Sequence, residues 1–409
     1  MRPTVLSLAA LFTVTVAAVA FADSPPAAPT FGDDVQFLQS HDKKPIVLSD
    51  GKAMIVISPE LQGRVVTSTS GGNDGPSYGW INRELIASGE VRKHINAYGG
   101  EDRLWLGPEG GQFSIFFAPK APFDLEHWFT PAAFDTEPFQ AEVHDSPRKA
   151  YFVKDLHPTN YSGTKFDIRI RRQIELLGTA EIWADLQIDP IDGIGIVGFE
   201  SKNSLVNIGK EPWKKETGLL SLWSMGMFNA SPSTTVIVPI KTGPESELGI
   251  PVTSDYFGQV PPDRLKVKDD VAFFKADAKY RSKIGIGPRR AKPIFGSYDA
   301  ERHVLTLIQY KLPAGETDYV NSAWKIQDNP YAGDVVNSYN DGPPPTGGKQ
   351  LGQFYELETS SPAAALAPGK TITHTHRTIH FQGPADLLDK ISLAALGIHV
   401  SDIPTTAAH

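Results

Sequence analysis

Short segments in which apolar and polar residues alternate are the feature that most constrains the fold of this chain. In residues 164–177, TKFDIRIRRQIELL, the apolar residues Phe166, Ile168 and Ile170 are separated by Asp or Arg. Successive side chains of a strand point to opposite faces, so this pattern predicts a strand with one buried face. Strands of the same kind are predicted as two short segments around a Pro-Glu turn within residues 53–69, at residues 180–188, 234–240, 302–312 and 370–381, and from Phe354 to a Ser-Ser-Pro break at 360–362.

Helical patterns are few by comparison. Only residues 79–90, GWINRELIASGE, and residues 383–398, GPADLLDKISLAALGI, have the spacing of a helix. The chain also contains 36 Gly and 33 Pro, which suits many turns between short strands. We therefore expect an all-β fold, a sandwich or a barrel, and not a protein of alternating strands and helices. No repeat of fixed period is visible, which disfavours a propeller.

The N-terminus has the pattern of an export signal. An apolar run follows Arg2 and ends at Ala20, Phe21 and Ala22, a small-x-small cleavage site. We predict a signal peptide over residues 1–22, a linker and lead-in over 23–44, a main domain over 45–383 and a helical tail over 384–409. A membrane anchor is the alternative for the first segment, but the cleavage site and the Pro-rich stretch after it favour secretion to the periplasm.

Composition excludes several classes of partner. The formal net charge is −8 and no basic run is present, so neither nucleic acid nor an anionic membrane surface is expected to bind. The chain has no Cys, which rules out disulfides, a lipid anchor on Cys and a cysteine nucleophile. No membrane contact is predicted after signal cleavage, and the oligomeric state is left open.

Two segments rich in Gly, Asn, Asp and aromatic residues are predicted to be long functional loops, residues 94–117 and 319–352. Hydrogen-bonding side chains beside aromatic rings suit a sugar, whose hydroxyls need partners and whose apolar face needs a flat surface. Ordinary turns at strand ends are the alternative. The candidate substrate-binding residues are His94, Asn96, Glu101, Arg103, Trp105 and Glu109 in the first loop, and Trp324, Asn340 and Asp341 in the second.

Two other motifs are weaker. The sequence GIGIVG, residues 193–198, matches a dinucleotide fingerprint, but no helical pattern follows it, and a glycine-rich strand is predicted instead. The segment HTHRTIH places His374, His376 and His380 on one face of a strand. Such a pair of imidazoles could bind a metal, yet no third ligand is apparent, so we predict neither a metal nor another cofactor.

The stretch FYELETS carries two carboxylates on one strand face. Glu356 and Glu358 are two residues apart, so their β-carbons are expected about 6.5–7 Å from each other. A neighbouring like charge raises the pKa of a carboxyl group, which suits it to proton transfer near neutral pH. Ion pairing with Arg103 or Arg377 is the alternative role, and Arg377 is also a candidate for substrate binding.

The end of the chain resembles the aldose 1-epimerase (galactose mutarotase) superfamily. The resemblance rests on Leu357-Glu358-Thr359, on the turn LAPGK at residues 366–370 and on a final strand at 371–381. The motifs GGEDRLWLGPEGG, NSYNDGPP and FYELETSSPAAAL extend it over residues 45–383 and indicate a secreted, uncharacterised branch. The resemblance implies a β-supersandwich that holds a sugar on a concave sheet, with Glu358 as the general base.

One departure from the family pattern bears on the reaction. Where a mutarotase carries the His that protonates the ring oxygen, residues 221–231 read SLWSMGMFNAS, with Trp223 near the expected position. His94, His374 and His376 are the candidate replacements. We therefore predict a carbohydrate-active periplasmic protein that isomerises an aldose or cleaves a glycosidic bond with Glu358 as base. The alternative is a carbohydrate-binding protein without catalysis.

Overall fold

The structure is a computed structural model that describes residues 28–142, 146–268, 270–344 and 349–404. The predicted signal peptide and its cleavage site lie outside these ranges. The helices are α1 Phe31–Ser40, α2 Arg83–Ser88, α3 Ala132–Asp135, α4 Thr179–Leu186, α5 Glu245–Leu248 and α6 Ala385–Leu396. The first strands are β1 Ile46–Asp50, β2 Ala53–Ser58, β3 Arg64–Thr69, β4 Arg103–Gly107, β5 Gln140–Glu142, β6 Lys149–Leu156, β7 Ile168–Leu176, β8 Gly195–Asn207 and β9 Ser221–Asn229. The others are β10 Thr234–Pro239, β11 Leu265–Val267, β12 Val271–Lys275, β13 Ser282–Ile286, β14 Ile294–Asp299, β15 Val304–Tyr310, β16 Val336–Asn340, β17 Phe354–Ser360 and β18 Thr371–Gln382.

Within these ranges the strands form three antiparallel sheets. A ten-stranded sheet has the order β11-β12-β10-β14-β15-β18-β8-β7-β6-β5, and a five-stranded sheet has the order β13-β16-β17-β9-β4. Strands β1, β2 and β3 form the third sheet. The predicted all-β class with few short helices is confirmed, and the two larger sheets pack face to face as a β-supersandwich requires.

The inner face of the five-stranded sheet carries both apolar and polar contacts to the ten-stranded sheet. Tyr355 and Leu357 of β17 are buried there, and the Tyr355 hydroxyl lies 2.8 Å from Ser297 Oγ of β14. Thr359, on the same face of β17, contacts the imidazoles of β18. Because side chains alternate, Glu356 and Glu358 must point the other way, to the outer face of the five-stranded sheet.

The lead-in and the tail both pack on the domain. Helix α1 begins with a capping box between Thr30 and Asp33, and its Phe31 and Leu38 are fully buried. Helix α6 forms inside the predicted tail and buries Leu388 in an apolar cluster with the ten-stranded sheet. No helix in the described part of the chain has the length and apolar character to cross a membrane.

One predicted strand is wrong. Residues 179–186 form helix α4, where a strand was expected over 180–188. The adjacent residues Ile182 and Trp183 are both buried, which a half-exposed strand cannot achieve and a helix packed on β8 and β18 can. Residues 79–90 and 383–398 contain the predicted helices α2 and α6, and residues 195–198 begin strand β8 as predicted.

Both predicted loops contain a strand of the five-stranded sheet. Strand β4 lies within residues 94–117, and β16 lies within 319–352, of which residues 345–348 are not described. All five residues of each strand are buried, so neither strand shows the exposed polar face that alternation predicts. This difference matters because both strands contribute side chains to the site described next.

Candidate functional site

A cleft of about 730 Å³ covers the outer face of the five-stranded sheet. Its volume lies within the range of about 300–1,000 Å³ usual for ligand sites. Every strand of the sheet contributes alternate side chains, and the connections near Trp128, Tyr256 and Trp324 form the walls. The strand residues that line it are Arg103, Trp105 and Gly107 of β4, Ser221, Trp223, Met225 and Met227 of β9, Lys283 of β13, Asn337 and Tyr339 of β16, and Phe354, Glu356 and Ser360 of β17.

Glu358 does not line the cleft itself and is fully buried against the lining residues Lys283 and Trp223. Its Oε2 accepts hydrogen bonds from Lys283 Nζ at 2.9 Å and from Trp223 Nε1 at 2.9 Å. Its Oε1 is also buried and has no hydrogen-bond partner among the described residues. A buried carboxylate normally has its oxygens satisfied, so the free oxygen marks a position where a further polar group would be stabilised.

Glu356 is the glutamate that lines the cleft. Its Oε1 accepts a hydrogen bond from Arg103 Nη2 at 2.5 Å, so the ion pair considered from the sequence forms inside the cleft. Burial raises the pKa of Glu356, and the charge of Glu358 acts in the same direction, while Arg103 and Lys283 lower it. Together these effects place the pKa at about 7. A carboxyl group with this pKa exchanges protons readily at neutral pH.

Lys283 interacts electrostatically with the acidic residues Glu358 and Glu109. Besides its ion pair with Glu358, its ammonium lies 4.8 Å from the centre of the Trp223 ring. Burial alone would lower the pKa of Lys283, but Glu358 and Glu109 raise it above its ordinary value. Burial also raises the pKa of Glu109, which lines the cleft beside these residues. Glu109 therefore tends toward its protonated form, in which it can donate a proton.

Aromatic rings form one wall of the cleft. The rings of Trp128 and Trp324 are stacked with centroids 5.8 Å apart, and Trp105 lies 6.4 Å from Trp128. The indole nitrogens of Trp105 and Trp128 are buried and have no acceptor within the described ranges. These nitrogens are enclosed in the wall, which presents flat apolar faces to the cleft.

A second polar group lies across β16 from Glu358. The Tyr256 hydroxyl donates to Asp334, and Asn337 Nδ2 donates to the Tyr256 oxygen at 3.0 Å. Burial raises the pKa of both Asp334 and Tyr256. Gly285 makes this arrangement possible, because a β-carbon there would lie 2.0 Å from Asp334 Oδ2. Asn337 is also the direct cross-strand neighbour of Glu358.

Three predicted residues of the first loop do not line the cleft, and instead form hydrogen bonds with neighbouring segments of the chain. His94 Nδ1 hydrogen-bonds to the Trp128 backbone oxygen at 2.7 Å. Asn96 Nδ2 donates to Asp135 Oδ2 at 2.7 Å. Glu101 accepts from the Ser68 backbone at 2.6 Å, behind the sheet. Arg103, Trp105 and Glu109 do line the cleft, so of the six candidate residues in this loop only these three are placed where they could contact a ligand.

The second loop gives a similar outcome. Trp324 lines the cleft, whereas Asn340 and Asp341 are buried at the end of β16 and fix neighbouring chain segments. Asn340 Oδ1 accepts from the Ala278 backbone at 2.8 Å, and Asp341 Oδ2 accepts from the Gly352 backbone at 2.7 Å. These two residues support the site without lining it.

The residues predicted on β18 lie away from the cleft. Thr359 Oγ1 is 2.8 Å from His374 Nε2 and 2.8 Å from His376 Nδ1, between the two large sheets. Burial lowers the pKa of His374 to about 3 and that of His376 to about 4, so both are neutral at physiological pH. Arg377 points to the opposite face and pairs with Glu200 at 2.6 Å. Their predicted catalytic and binding roles are not compatible with these positions.

Several cleft residues were not predicted from the sequence. Lys283 and Tyr256 come from segments without an obvious motif, as does Arg281, which precedes β13. Asp334 and Asn337 lie within the second predicted loop, and Asn337 begins the motif NSYNDGPP, but neither was chosen as a candidate. Trp223 was noted only as a departure from the family pattern. The alternation of Arg281 and Lys283 with Ser282 and Ile284 is the one sequence signal that could have indicated them. The described residues contain no group of three His, Cys, Asp or Glu arranged to hold a metal ion.

This chain belongs to a family of unknown function, DUF6786, whose model matches residues 29–407. No curated protein sequence matches it significantly. Galactose mutarotase-like proteins, the group that the sequence resembles, are among the solved structures to which the chain is similar.

Three of these structures show the extent of the similarity. A putative aldose 1-epimerase from Klebsiella pneumoniae is 11% identical with a TM-score of 0.48, and the match covers 88% of this chain and 90% of that one. A galactose mutarotase-like protein from Lactobacillus casei is 12% identical with a TM-score of 0.45, covering 82% and 99%. The Slr1438 protein from Synechocystis sp. PCC 6803 is 12% identical with a TM-score of 0.47, covering 82% and 95%.

Proposed function

We propose that this protein is a carbohydrate-active enzyme that binds a sugar in the cleft of the five-stranded sheet and transfers protons at its anomeric carbon. The observation that carries the proposal is the position of Glu356, a carboxyl group with a pKa of about 7 on the surface of a cleft walled by tryptophan. The expected reaction is the interconversion of aldose anomers.

The composition of the walls supports a sugar as the ligand. Trp105, Trp128 and Trp324 offer flat rings to the apolar face of a pyranose. Arg103, Lys283 and Asn337 also line the cleft and offer hydrogen-bond donors to its hydroxyls.

Ring opening of an aldose needs a base at the anomeric hydroxyl and an acid at the ring oxygen. In the proposed mechanism ionised Glu356 accepts the proton of the hydroxyl, and protonated Glu109 donates one to the ring oxygen. Reclosure after rotation of the aldehyde returns both protons. The pKa of about 7 makes ionised Glu356 available as the base, and the raised pKa of Glu109 favours its role as the acid.

Glu358 has a different role in this proposal. The sequence resemblance assigns the base to Glu358, but its Oε2 is occupied by Lys283 and Trp223, and its side chain is enclosed. We assign it the negative charge that raises the pKa of Glu356. Parallel measurements on Glu356→Gln and Glu358→Gln distinguish the two assignments.

Trp223 favours a second candidate function, carbohydrate binding without catalysis. Its indole occupies the region where the resemblance predicts a His, and an indole N–H cannot deliver a proton to a ring oxygen. If Glu109 does not replace that acid, the same cleft would hold a sugar and leave its anomers unchanged.

Export to the periplasm is part of the proposal. The apolar run and the Ala20-Phe21-Ala22 site support it. N-terminal sequencing of the protein recovered from the periplasmic fraction should give a mature chain that begins at Asp23, whereas retention of residues 1–22 in the cytoplasm would refute export.

The test of function separates binding from turnover. Anomer exchange of single-anomer glucose and galactose is followed by polarimetry, and binding of the same sugars is followed by the shift in melting temperature. We expect the parent protein to accelerate exchange and Glu356→Gln to lose about 10²–10⁴-fold in rate. Glu137→Gln, an exposed glutamate outside the cleft, is the matched control and should behave as the parent.

Each of the other results has a defined meaning. A melting shift without acceleration by the parent protein favours the binding function and rejects the catalytic one. Loss of rate in Glu358→Gln with retention in Glu356→Gln restores the assignment made from the sequence. Neither a shift nor a rate with any sugar tested rejects the carbohydrate proposal as a whole.

A further inference from the structure

The positive charges of the cleft are not all balanced by neighbouring carboxylates. Arg103 pairs with Glu356, and Lys283 pairs with Glu358. Arg281 lines the same cleft, yet no carboxylate of the described residues lies within 4.0 Å of its guanidinium. Its Nε is buried and has no hydrogen-bond acceptor in the described part of the chain. Arg281 is therefore a partly desolvated cation to which the described residues supply no directly paired counterion.

The guanidinium is nevertheless held in place. Its central carbon lies 4.5 Å from the centre of the Phe257 ring, which also lines the cleft. The Phe257 ring in turn packs edge-on against Tyr339 of β16, with centroids 5.8 Å apart. Stacking on an aromatic face orients the guanidinium plane and leaves its edge free for hydrogen bonds.

Nearby acidic groups are engaged elsewhere. Asp341 is close enough to interact electrostatically with Arg281, but its oxygens accept from the Tyr339 hydroxyl at 2.7 Å and the Gly352 backbone at 2.7 Å. Burial raises the pKa of Asp341 despite the charge of Arg281. Glu109 also interacts with Arg281, and burial raises its pKa as well. Neither group supplies a fixed counterion.

We propose that Arg281, stacked on Phe257, forms a subsite for an anionic substituent of the sugar, and that the ligand is an acidic carbohydrate. A uronic acid carboxylate suits the subsite best, because the planar guanidinium can donate two parallel hydrogen bonds to it. A sulfate ester presents the same charge and similar acceptor oxygens. This inference rests on the proposed carbohydrate function and adds the class of sugar to it.

The other acidic side chains of the cleft do not prevent such a ligand from binding. The charges of Glu356 and Glu358 are offset by Arg103 and Lys283, and Asp334 accepts a hydrogen bond from Tyr256. Lys325 also lines the cleft at an exposed position and has no ion-pair partner among the described residues, whereas Asp255 adds a further carboxylate to the lining. The attraction for an anion is therefore local to the Arg281 guanidinium and is not a property of the cleft as a whole.

The experiment compares matched sugars by calorimetry at constant ionic strength. Galactose, galacturonate and galactose 6-sulfate differ only at carbon 6, so the ratio of their affinities isolates the anionic group. We expect galacturonate to bind about 10–100-fold more tightly than galactose, which corresponds to one charge-assisted hydrogen-bonded contact. A preference for the sulfated sugar over galacturonate would support the subsite and assign it to an ester.

Variants of the protein test whether Arg281 causes the preference for galacturonate over galactose. Arg281→Gln should bring the galacturonate-to-galactose affinity ratio close to one, and Arg281→Lys, which keeps the charge and loses the planar fork, should retain part of it. Arg169→Gln removes the same charge from an exposed ion pair on the ten-stranded sheet and should leave the ratio unchanged. Melting temperatures check that each variant is folded.

Three results overturn the inference. Equal binding of galactose and galacturonate by the parent protein rejects the subsite while leaving the carbohydrate proposal intact. An undiminished ratio in Arg281→Gln rejects this residue as the subsite. Failure of the parent to bind any of the three sugars rejects the subsite together with the sugar function on which it rests.

Discussion

Replacement of Glu358 by Gln should lower the pKa of Glu356, its neighbour on the same face of β17. Two physical effects act in the same direction. The negative charge of Glu358 raises the pKa of Glu356, so its removal lowers that pKa. Lys283, which loses its ion-pair partner in the variant, already lowers the pKa of Glu356 and becomes an unbalanced positive charge.

The size of the change follows from the geometry of the strand. Two residues apart on one face, the side chains begin about 6.5–7 Å from each other. Two unit charges at that distance interact by about 2 kcal/mol at an effective dielectric constant of about 20. Since about 1.4 kcal/mol changes a pKa by one, the pKa of Glu356 should fall from about 7 by between about one and two pH units.

The direct assay is an NMR titration of side-chain carboxyl carbons in protein labelled at glutamate. The resonance of Glu356, assigned by its loss in Glu356→Gln, should titrate near neutral pH in the parent and at lower pH in Glu358→Gln. If the enzyme function holds, the acidic limb of the pH–rate profile should move by the same amount.

The double variant Lys283→Met/Glu358→Gln is the control for the ion pair. Breaking a buried pair from one side leaves an uncompensated charge and costs about 3–5 kcal/mol of stability, whereas removing both charges costs less. The double variant should therefore melt at a higher temperature than Glu358→Gln, with a pKa of Glu356 between those of parent and single variant. An unchanged titration of Glu356 in Glu358→Gln would refute the electrostatic coupling of the two glutamates.

Four further outcomes are expected. The raised pKa of Glu356 means that the folded state holds this proton more tightly, so stability should fall as pH rises from about 4.5 to about 7, and Glu356→Gln should flatten denaturant-measured stability over that window. Trp128→Phe removes part of the aromatic surface of the wall, so calorimetry should show weaker sugar binding, and the melting temperature should fall because the smaller ring leaves a cavity. Thr359→Val leaves two buried imidazoles without their shared partner and should cost about 1–3 kcal/mol in urea unfolding, with sugar affinity preserved. Arg377→Gln should not alter sugar affinity in the same calorimetric assay, because Arg377 lies on the opposite face of the ten-stranded sheet.

Local pattern was enough to predict the all-β class and most strands. Strand β17 was predicted to begin at Phe354, as it does, and the alternation along it placed Glu356 and Glu358 together on one face and Leu357 on the other. These predictions succeeded because the face to which a strand side chain points depends on its position in that strand alone. Helix α4 was mistaken for a strand because a segment of eight or nine residues is too short to separate the two periodicities.

Strand pairing determines which residues come together in the cleft. Pairing of β13 with β16 and of β16 with β17 brings Lys283 to Glu358, although 75 residues separate them in the chain. Pairing of β4 with β9 likewise places Arg103 within reach of Glu356. Nothing in the local sequence encodes these distances, because they depend on which strands are neighbours.

Tertiary structure also determined which of the predicted site residues lie away from the cleft. His374, His376 and Arg377 follow one another on β18, and their local pattern was interpreted correctly as a strand. That strand lies in the ten-stranded sheet, so one face points to the interior between the sheets and the other away from them. Alternation along a strand determines which side chains share a face, and only the packing of the sheets determines whether that face meets the core, the solvent or the ligand.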